Sequence, residues 1–333
     1  MPDSFNQPTI ANQMRKLLAT GAIGSLIIFA AYFSACNNNA STKTSDNNDS
    51  IKKVLERGEY LANSVAGCID CHSKRDLEKY SGPVIPGTEG GGGMVFNQKF
   101  GIPGVLHGKN ITPDNETGIG TWTDDEVLRA ITQGISKNGD TLFPLMPYPN
   151  FNRMAKEDLM SIIAYIRTLK PIRNKVPERK LLMPIAMAYP GPVLQPSVDG
   201  NVRPPESDRV KYGEYLITFA DCGTCHSPLT QQGPDMTRKY AGGYTFDAGT
   251  FKVVSANITP DTATGIGKWS EAQFLDKFTP FREEKNYNLN PGKENTVMPL
   301  SLFANMKDDD LKAIYAYLRT VKPITNKVEK YPN

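Results

Sequence analysis

Two stretches of this chain combine cysteine and histidine in the same order and at the same spacing. Each reads Cys-x-x-Cys-His, and the residues concerned are Cys68, Cys71, His72, Cys222, Cys225 and His226. The chain has only five cysteines and three histidines. Most of its thiols and imidazoles, the groups best suited to metal binding or thiol chemistry, therefore lie in these two stretches.

Three kinds of chemistry use a Cys-x-x-Cys pair. A thioredoxin-like dithiol needs a βαβ context, which the sequence does not offer. A structural zinc site needs four ligands, and each stretch supplies three, although a site that pools both stretches remains an alternative. The full Cys-x-x-Cys-His pattern is the signature of covalent c-type haem attachment. Two thiols one helical turn apart reach the two vinyl groups on one haem edge, and the adjacent histidine then lies under the iron. We therefore predict two covalently bound haem c groups.

The chain also repeats itself along its length. The motif Asn-Ile-Thr-Pro-Asp occurs at Asn110 and again at Asn257, and matching segments end each half. The first repeat covers residues 51–175 and the second repeat covers 205–330. Residues 176–204 are rich in proline and predict an ordered, extended connector between the repeats.

Three helices are predicted in each repeat. The first precedes the cysteines, and the second starts at a capping box, at Thr123 and at Ser270. The third closes the repeat with one apolar stripe at helical spacing. No alternating pattern of strands competes, so each repeat is predicted to be all-α.

The motifs together resemble a known family. Cys-x-x-Cys-His, Asn-Ile-Thr-Pro-Asp, Thr-Gly-Ile-Gly-x-Trp, Met-Pro and Ala-Tyr-(Ile/Leu)-Arg-Thr are similar to those of class I-type cytochrome c domains. Pairs of such domains occur in dihaem cytochromes and in the cytochrome subunits of quinone-dependent alcohol and aldehyde dehydrogenases. The resemblance covers about residues 51–330. It implies that the first and last helices of each repeat cross and pack on the haem.

The second axial ligand of each iron is predicted among the methionines late in each repeat. Met154 and Met306 stand just before the closing helices at the spacing of a hydrophobic staple, which is a packing role. Met146 and Met298 lie in loops before a proline, as the family's ligand methionine does, and are the predicted ligands opposite His72 and His226. Core packing is the alternative for them. His107 has no counterpart in the second repeat and is predicted to be a loop residue, with contact to a haem edge in the first repeat as the alternative.

The amino terminus resembles a bacterial lipoprotein signal over residues 1–35. Arg15 and Lys16 precede an apolar run, which ends in small residues before Cys36. Cys36 would be lipidated, and the polar residues 36–50 would form a flexible tether. The alternative is an uncleaved membrane anchor, because the run is just long enough to span a bilayer. Both interpretations predict an exported, membrane-attached protein that faces the periplasm.

His/Met ligation at both irons would leave no open position for a substrate. The predicted function is therefore that of an electron carrier rather than an enzyme, passing single electrons from a dehydrogenase or quinol donor to a respiratory acceptor. A dedicated subunit of a dehydrogenase complex would do the same. The alternatives are a dihaem peroxidase or small-molecule dehydrogenase with one open haem, and a zinc-binding structural module. The net charge of +3, with no basic cluster, predicts no nucleic-acid partner.

Overall fold

The computed structural model describes residues 37–191, 197–231 and 233–332, so the predicted signal segment 1–35 and Cys36 lie outside the described residues. The described residues from Lys52 onward form one compact unit. The described residues before them are helical and belong to α1, Asn37–Tyr60. The described part of the predicted flexible tether, residues 37–50, is therefore helical. No helix in the described ranges is long and apolar enough to cross a membrane.

After α1, the first repeat and the connector consist mostly of short elements. In chain order these are a π-helical turn Leu61–Val65, α2 Cys68–Cys71, β1 Val95–Phe96, a 3₁₀ turn Gln98–Phe100, β2 Gly104–His107, α3 Asp124–Gln133, α4 Tyr148–Phe151, α5 Lys156–Thr168, β3 Lys180–Leu181 and α6 Ile185–Ala188. The three predicted helices are α1, α3 and α5. The capping box at Thr123 is confirmed, because Thr123 and Glu126 exchange both bonds at the start of α3.

The second repeat follows the same order. Its elements are α7 Arg209–Phe219, α8 Cys222–Cys225, β4 Leu229–Thr230, β5 Gly233–Pro234, a 3₁₀ turn Met236–Arg238, β6 Thr245–Asp247, β7 Lys252–Val254, α9 Glu271–Leu275, three 3₁₀ turns at Thr279–Arg282, Glu284–Asn286 and Gly292–Glu294, α10 Leu300–Phe303 and α11 Asp308–Leu318. The capping box at Ser270 is also confirmed.

The repeats are mainly helical, as predicted, but they also contain short strands that the sequence did not indicate. In the first repeat and the connector, β1, β2 and β3 form a small antiparallel sheet, with Phe96 opposite Leu106 and Gly104 opposite Leu181. In the second repeat, β4 pairs with β5 and β6 with β7. These strands are two to four residues long, which is too short to produce a readable alternation.

The first and last helices of each repeat cross with their backbones in close contact. A Cβ added to Gly58 would lie 1.8 Å from the carbonyl oxygen of Ser161, and one added to Gly213 would lie 1.9 Å from that of Ala313. Only glycine allows this approach. The crossing that the family resemblance implies is therefore present in both repeats, at equivalent glycines.

The two repeats exchange hydrogen bonds at the start of their closing helices. The hydroxyl of Tyr215, in the second repeat, donates to Asp158 and accepts from the backbone N–H of Ala155, in the first. The hydroxyl of Tyr60, in the first repeat, donates to Asp310 and accepts from the N–H of Lys307. Ala155 and Lys307 are the N-cap residues of α5 and α11, and neither offers a capping side chain. Each closing helix is therefore capped by a tyrosine of the other repeat.

Candidate haem-attachment sites

The two Cys-x-x-Cys-His stretches fold into equivalent single helical turns, α2 and α8. Both turns begin after a residue with left-handed backbone, Gly67 with φ 64° and Asp221 with φ 50°. One turn places the two cysteines on the same side of the helix. The second cysteine of each turn, Cys71 and Cys225, is exposed, and the first is partly buried. The two thiols of each pair therefore lie on the same side of one turn, as attachment to one haem edge requires.

The two histidines are oriented by the same bond. His72 Nδ1 lies 2.7 Å from the carbonyl oxygen of Lys109, and His226 Nδ1 lies 2.7 Å from that of Ala256. A carbonyl can only accept, so Nδ1 of each ring carries the proton and donates it. Nε2 is then left with its lone pair free. An imidazole whose Nδ1–H is held by a backbone carbonyl is fixed in tautomer and orientation as a metal ligand through Nε2.

A cavity of about 1350 Å³ opens beside α2 in the first repeat. Cys68, Cys71 and His72, from one motif, line it together with Met146, which is distant from them in the sequence. Most of the remaining wall is apolar, and α3, α5 and the loop that contains Trp122 supply part of it. The site thus combines two thiols, an imidazole and a thioether with an apolar pocket, and this donor set suits a covalently attached haem.

The methionines separate as their spacing predicts. Met154 and Met306 are buried in the core. Leu159 and Leu311, which follow them at the spacing of a hydrophobic staple, are buried in the same core. Met146 and Met298 are only partly buried against that core, and Met146 lines the cavity. Each lies just before a short helix, α4 or α10, that begins after the proline.

Two parts of the cavity wall differ from the main expectations from the sequence. His107 ends strand β2 instead of lying in a loop, and it lines the cavity with Nδ1 buried and without a hydrogen-bond partner. The start of the connector supplies Val176, Glu178 and Arg179 to the same wall. The connector reaches this place because β3 pairs with β2, a contact between distant segments that composition does not reveal.

Glycines hold the attachment turn from its other side. The N–H of Gly92 donates to the carbonyl of His72, and that of Gly242 donates to the carbonyl of His226, each over 2.7 Å. A Cβ on Gly92 would lie 2.6 Å from the carbonyl oxygen of Gly108. The run Glu89–Gly93 is therefore an ordered support, and its lack of side chains permits the close approach.

Asn110 and Asn257 have the same supporting role in the two repeats. Asn110 Nδ2 donates to the carbonyl of Ile172 over 2.6 Å, and Asn257 Nδ2 donates to that of Ile324 over 2.7 Å. Both side chains thus tie the Asn-Ile-Thr-Pro-Asp loop to the segment after the closing helix. Lys109 and Ala256, which accept from the histidines, immediately precede them, so these asparagines fix the carbonyls that orient the rings.

The electrostatics of the thiols bear on the competing chemistries. Desolvation by the surrounding protein raises the pKa of the partly buried Cys68 and Cys222 to about 12. Thiols in this state are neutral at pH 7, whereas a redox dithiol reacts as thiolate, so the dithiol interpretation loses support. Within the described ranges no three His, Cys, Asp or Glu side chains are grouped to hold a metal ion, so the zinc interpretation lacks the ligand cluster that it needs.

The two attachment turns lie near each other. Asn150 Nδ2, in α4 of the first repeat, donates to Asp221 over 2.9 Å, and Asp221 directly precedes the second turn. The surrounding protein raises the pKa of Cys71 and of Cys225, and each shift includes a contribution from a group in or beside the other turn.

Comparison with known proteins identifies the second repeat. Residues 210–322 match the family model "Cytochrome c". This segment is a cytochrome c domain. Such a domain implies covalently bound haem c, and Cys222, Cys225 and His226 lie within the matched residues.

The cytochrome c subunit of a quinone alcohol dehydrogenase from Gluconobacter oxydans is 30% identical over 294 residues, which is 83% of this chain and 56% of that protein. The gluconate 2-dehydrogenase cytochrome c subunit of Pantoea cypripedii is 29% identical over 279 residues, covering 80% of this chain and 59% of that protein. A diheme cytochrome c-type protein of Cereibacter sphaeroides is 29% identical over 274 residues, covering 78% and 83%. The predicted resemblance to cytochrome c subunits of dehydrogenases is confirmed. The chain spans between 56% and 59% of the length of the quinone alcohol dehydrogenase subunits that it matches.

Proposed function

We propose that this chain is a dihaem cytochrome c made of two tandem cytochrome c domains, and that it carries single electrons without catalysing a reaction of its own. Cys68 and Cys71 would attach the first haem, with His72 and Met146 as iron ligands. Cys222, Cys225, His226 and Met298 would hold the second haem in the same way. Bound iron in such a site supplies reversible one-electron storage, and the thioether ligand favours its reduced form.

The observation that carries this proposal is the cavity of the first repeat. It gathers two thiols and an imidazole with Nε2 free from one motif, and a thioether from a loop more than 70 positions later in the sequence. The second repeat, which the family match covers, reproduces the turn, the histidine bond and the position of the methionine before a proline. The first repeat therefore has the parts of a cytochrome c domain even though the family match covers only the second.

The hydrogen bond from Asn150 to Asp221 supports a relay between the repeats, because it joins α4, just after Met146, to the residue before Cys222. Haem groups attached at the two turns would then lie on either side of this contact. The apolar walls from α3 and α5 would exclude water from the first site. Gain or loss of an electron at its iron would then be little solvated, which tunes the redox potential.

The relatives suggest the partner. Their names describe cytochrome c subunits of alcohol and gluconate dehydrogenases, so we propose a dehydrogenase as electron donor and a respiratory redox protein as acceptor. We also propose that the chain is exported and attached to the membrane on the periplasmic side. Lipid on Cys36 would provide the attachment, with an amino-terminal anchor as the alternative.

The optical spectrum of the oxidised, haem-loaded protein tests this proposal, with covalent haem counted per chain by mass. Two haems and a weak red Met–iron band of full strength for each would support the relay. The paired change of Cys68 and Cys71 to Ala should leave one haem, and so should that of Cys222 and Cys225. Half of the band would indicate an open haem and a peroxidase-like site, and no covalent haem would contradict the proposal.

A further inference from the structure

The loop that carries Met298 is held by a side chain of the other repeat. Ser81 is fully buried. Its Oγ donates to the carbonyl of Met298 and accepts from the N–H of Leu300, both over 2.7 Å. These two backbone groups flank Pro299, which cannot donate a hydrogen bond. One hydroxyl from the first repeat thus spans the turn that follows the proposed ligand.

Asn295 completes this contact from the second repeat. It is buried, and its Oδ1 accepts from the backbone N–H of Ser81 over 3.0 Å. Its Nδ2 donates to the carbonyls of Leu77 and Lys79, each over 3.1 Å. The segment before Met298 and the loop 77–81 therefore satisfy each other's buried polar groups.

The backbone of Ser81 shows that its hydroxyl is what the position requires. Ser81 has φ 66°, in the left-handed region. Glycine adopts this conformation without the strain that a Cβ brings. Compared with glycine, serine adds a hydroxymethyl group here. Its hydroxyl both donates and accepts a hydrogen bond on the Met298 turn.

Ser81 is also connected to the attachment turn of its own repeat. Arg75 donates from Nη2 to the carbonyl of Ser81 over 2.6 Å and from Nη1 to Asp70 over 2.8 Å. Asp70 lies between Cys68 and Cys71. A buried, charge-assisted network thus runs from the first Cys-x-x-Cys turn to the loop of the second methionine.

We propose that Ser81 is a positioning residue for Met298, so that the first repeat holds the methionine ligand of the second iron in place. The inference rests on the proposed ligation by Met298. Without the hydroxyl, the turn after Met298 keeps its internal bond from the N–H of Leu300 to the carbonyl of Met298 but loses the two bonds that tie it to the first repeat. An added ligand can then displace the thioether more easily.

Imidazole titration of the oxidised, two-haem protein tests this inference, with the weak red Met–iron band as the readout. Ser81→Gly keeps the left-handed backbone and removes only the hydroxymethyl group. We expect half of the band to disappear at roughly tenfold lower imidazole concentration, while the other half titrates as in the wild type. Ser161→Ala is the matched control, because this buried serine donates only to Glu157 within α5.

Two further variants keep the outcomes distinct. Asn295→Ala breaks the same contact from the other side and should shift the same half of the band. In a Met298→Leu background, Ser81→Gly should change nothing, because the remaining band belongs to the first haem. Wild-type titration curves for both S81G and N295A would overturn the inference. If M298L itself kept the full band, the proposed ligation would fail instead.

Discussion

Tyr215 donates its hydroxyl hydrogen to Asp158 over 2.7 Å, across the boundary between the two repeats. The same carboxylate accepts two bonds from Arg57 and one from Arg203. It is 1% exposed, so no water replaces these donors when they are removed. The boundary between the repeats is therefore held by a buried carboxylate with four polar contacts.

Replacement of Asp158 by Asn should destabilise the protein by about 3 kcal/mol, because Arg57 would lose its buried counter-charge. Urea unfolding of the haem-loaded protein measures this free energy. Asp199→Asn is the matched control, since the Lys156–Asp199 pair is exposed, and it should change the stability by less than about 1 kcal/mol. Equal effects of the two substitutions would contradict the importance of the buried cluster.

The same carboxylate should make stability depend on acid pH. Burial alone would raise the pKa of Asp158, but the hydrogen bond and charge of Arg57, with Tyr215 and Arg203, outweigh it and hold the pKa below its usual range. A lowered folded-state pKa stabilises the protein above the unfolded-state pKa of about 4, and this contribution disappears as the pH falls through the folded value.

The free energy of unfolding of the wild type should therefore decrease more steeply below about pH 4 than that of D158N. Asp310 acts in the opposite direction, because burial raises its pKa, and it is common to both proteins. Parallel pH profiles for the wild type and D158N would show that the ion pairs of Asp158 do not contribute to the pH dependence of stability.

Replacement of Gly213 by Ala should disrupt the crossing of α7 and α11. The new Cβ would lie 1.9 Å from the carbonyl oxygen of Ala313, and the helices must separate to relieve it. We expect a loss of at least about 2 kcal/mol and a lower yield of covalent haem. Gly200→Ala is the control, because nothing lies within 4 Å of a Cβ there. Wild-type stability of G213A would contradict the close crossing.

Replacement of Met146 by Leu should remove the Met–iron band of the first haem and lower its potential, while covalent attachment through the cysteines persists. Met154→Leu is the matched comparison. Met154 is fully buried, so its substitution should cost less than about 1.5 kcal/mol of stability and leave the band intact. The optical spectrum and a redox titration check both variants. Loss of the band in M154L alone would exchange the roles of the two methionines.

Local spacing predicted much of the site. The Cys-x-x-Cys-His turns, the two capping boxes and the burial of Met154 and Met306 depend on residues a few positions apart, where chain geometry limits the outcomes. The helix crossing came from the family resemblance. The steric reason for it, at Gly58 and Gly213, became visible only when both helices were placed.

The contacts that sequence reasoning missed join distant segments. Neither the hydroxyl of Ser81 beside Met298 nor the pairing of β3 with β2 leaves a periodic trace. The poor N-caps at Ala155 and Lys307 were a visible anomaly. Their explanation required the tyrosines of the opposite repeat, because an uncapped helix end can find its partner anywhere in the fold.

The exchanged tyrosine caps affect how the protein can be made. In the first repeat alone the N-terminus of α5 lacks its cap, because Tyr215 lies beyond the whole connector. The first repeat therefore cannot reach its final hydrogen bonding before α7 is in place. A fragment that ends before residue 205 should fold less stably than the first repeat does in the whole protein. Two repeats expressed as separate chains should be stable only when both are present.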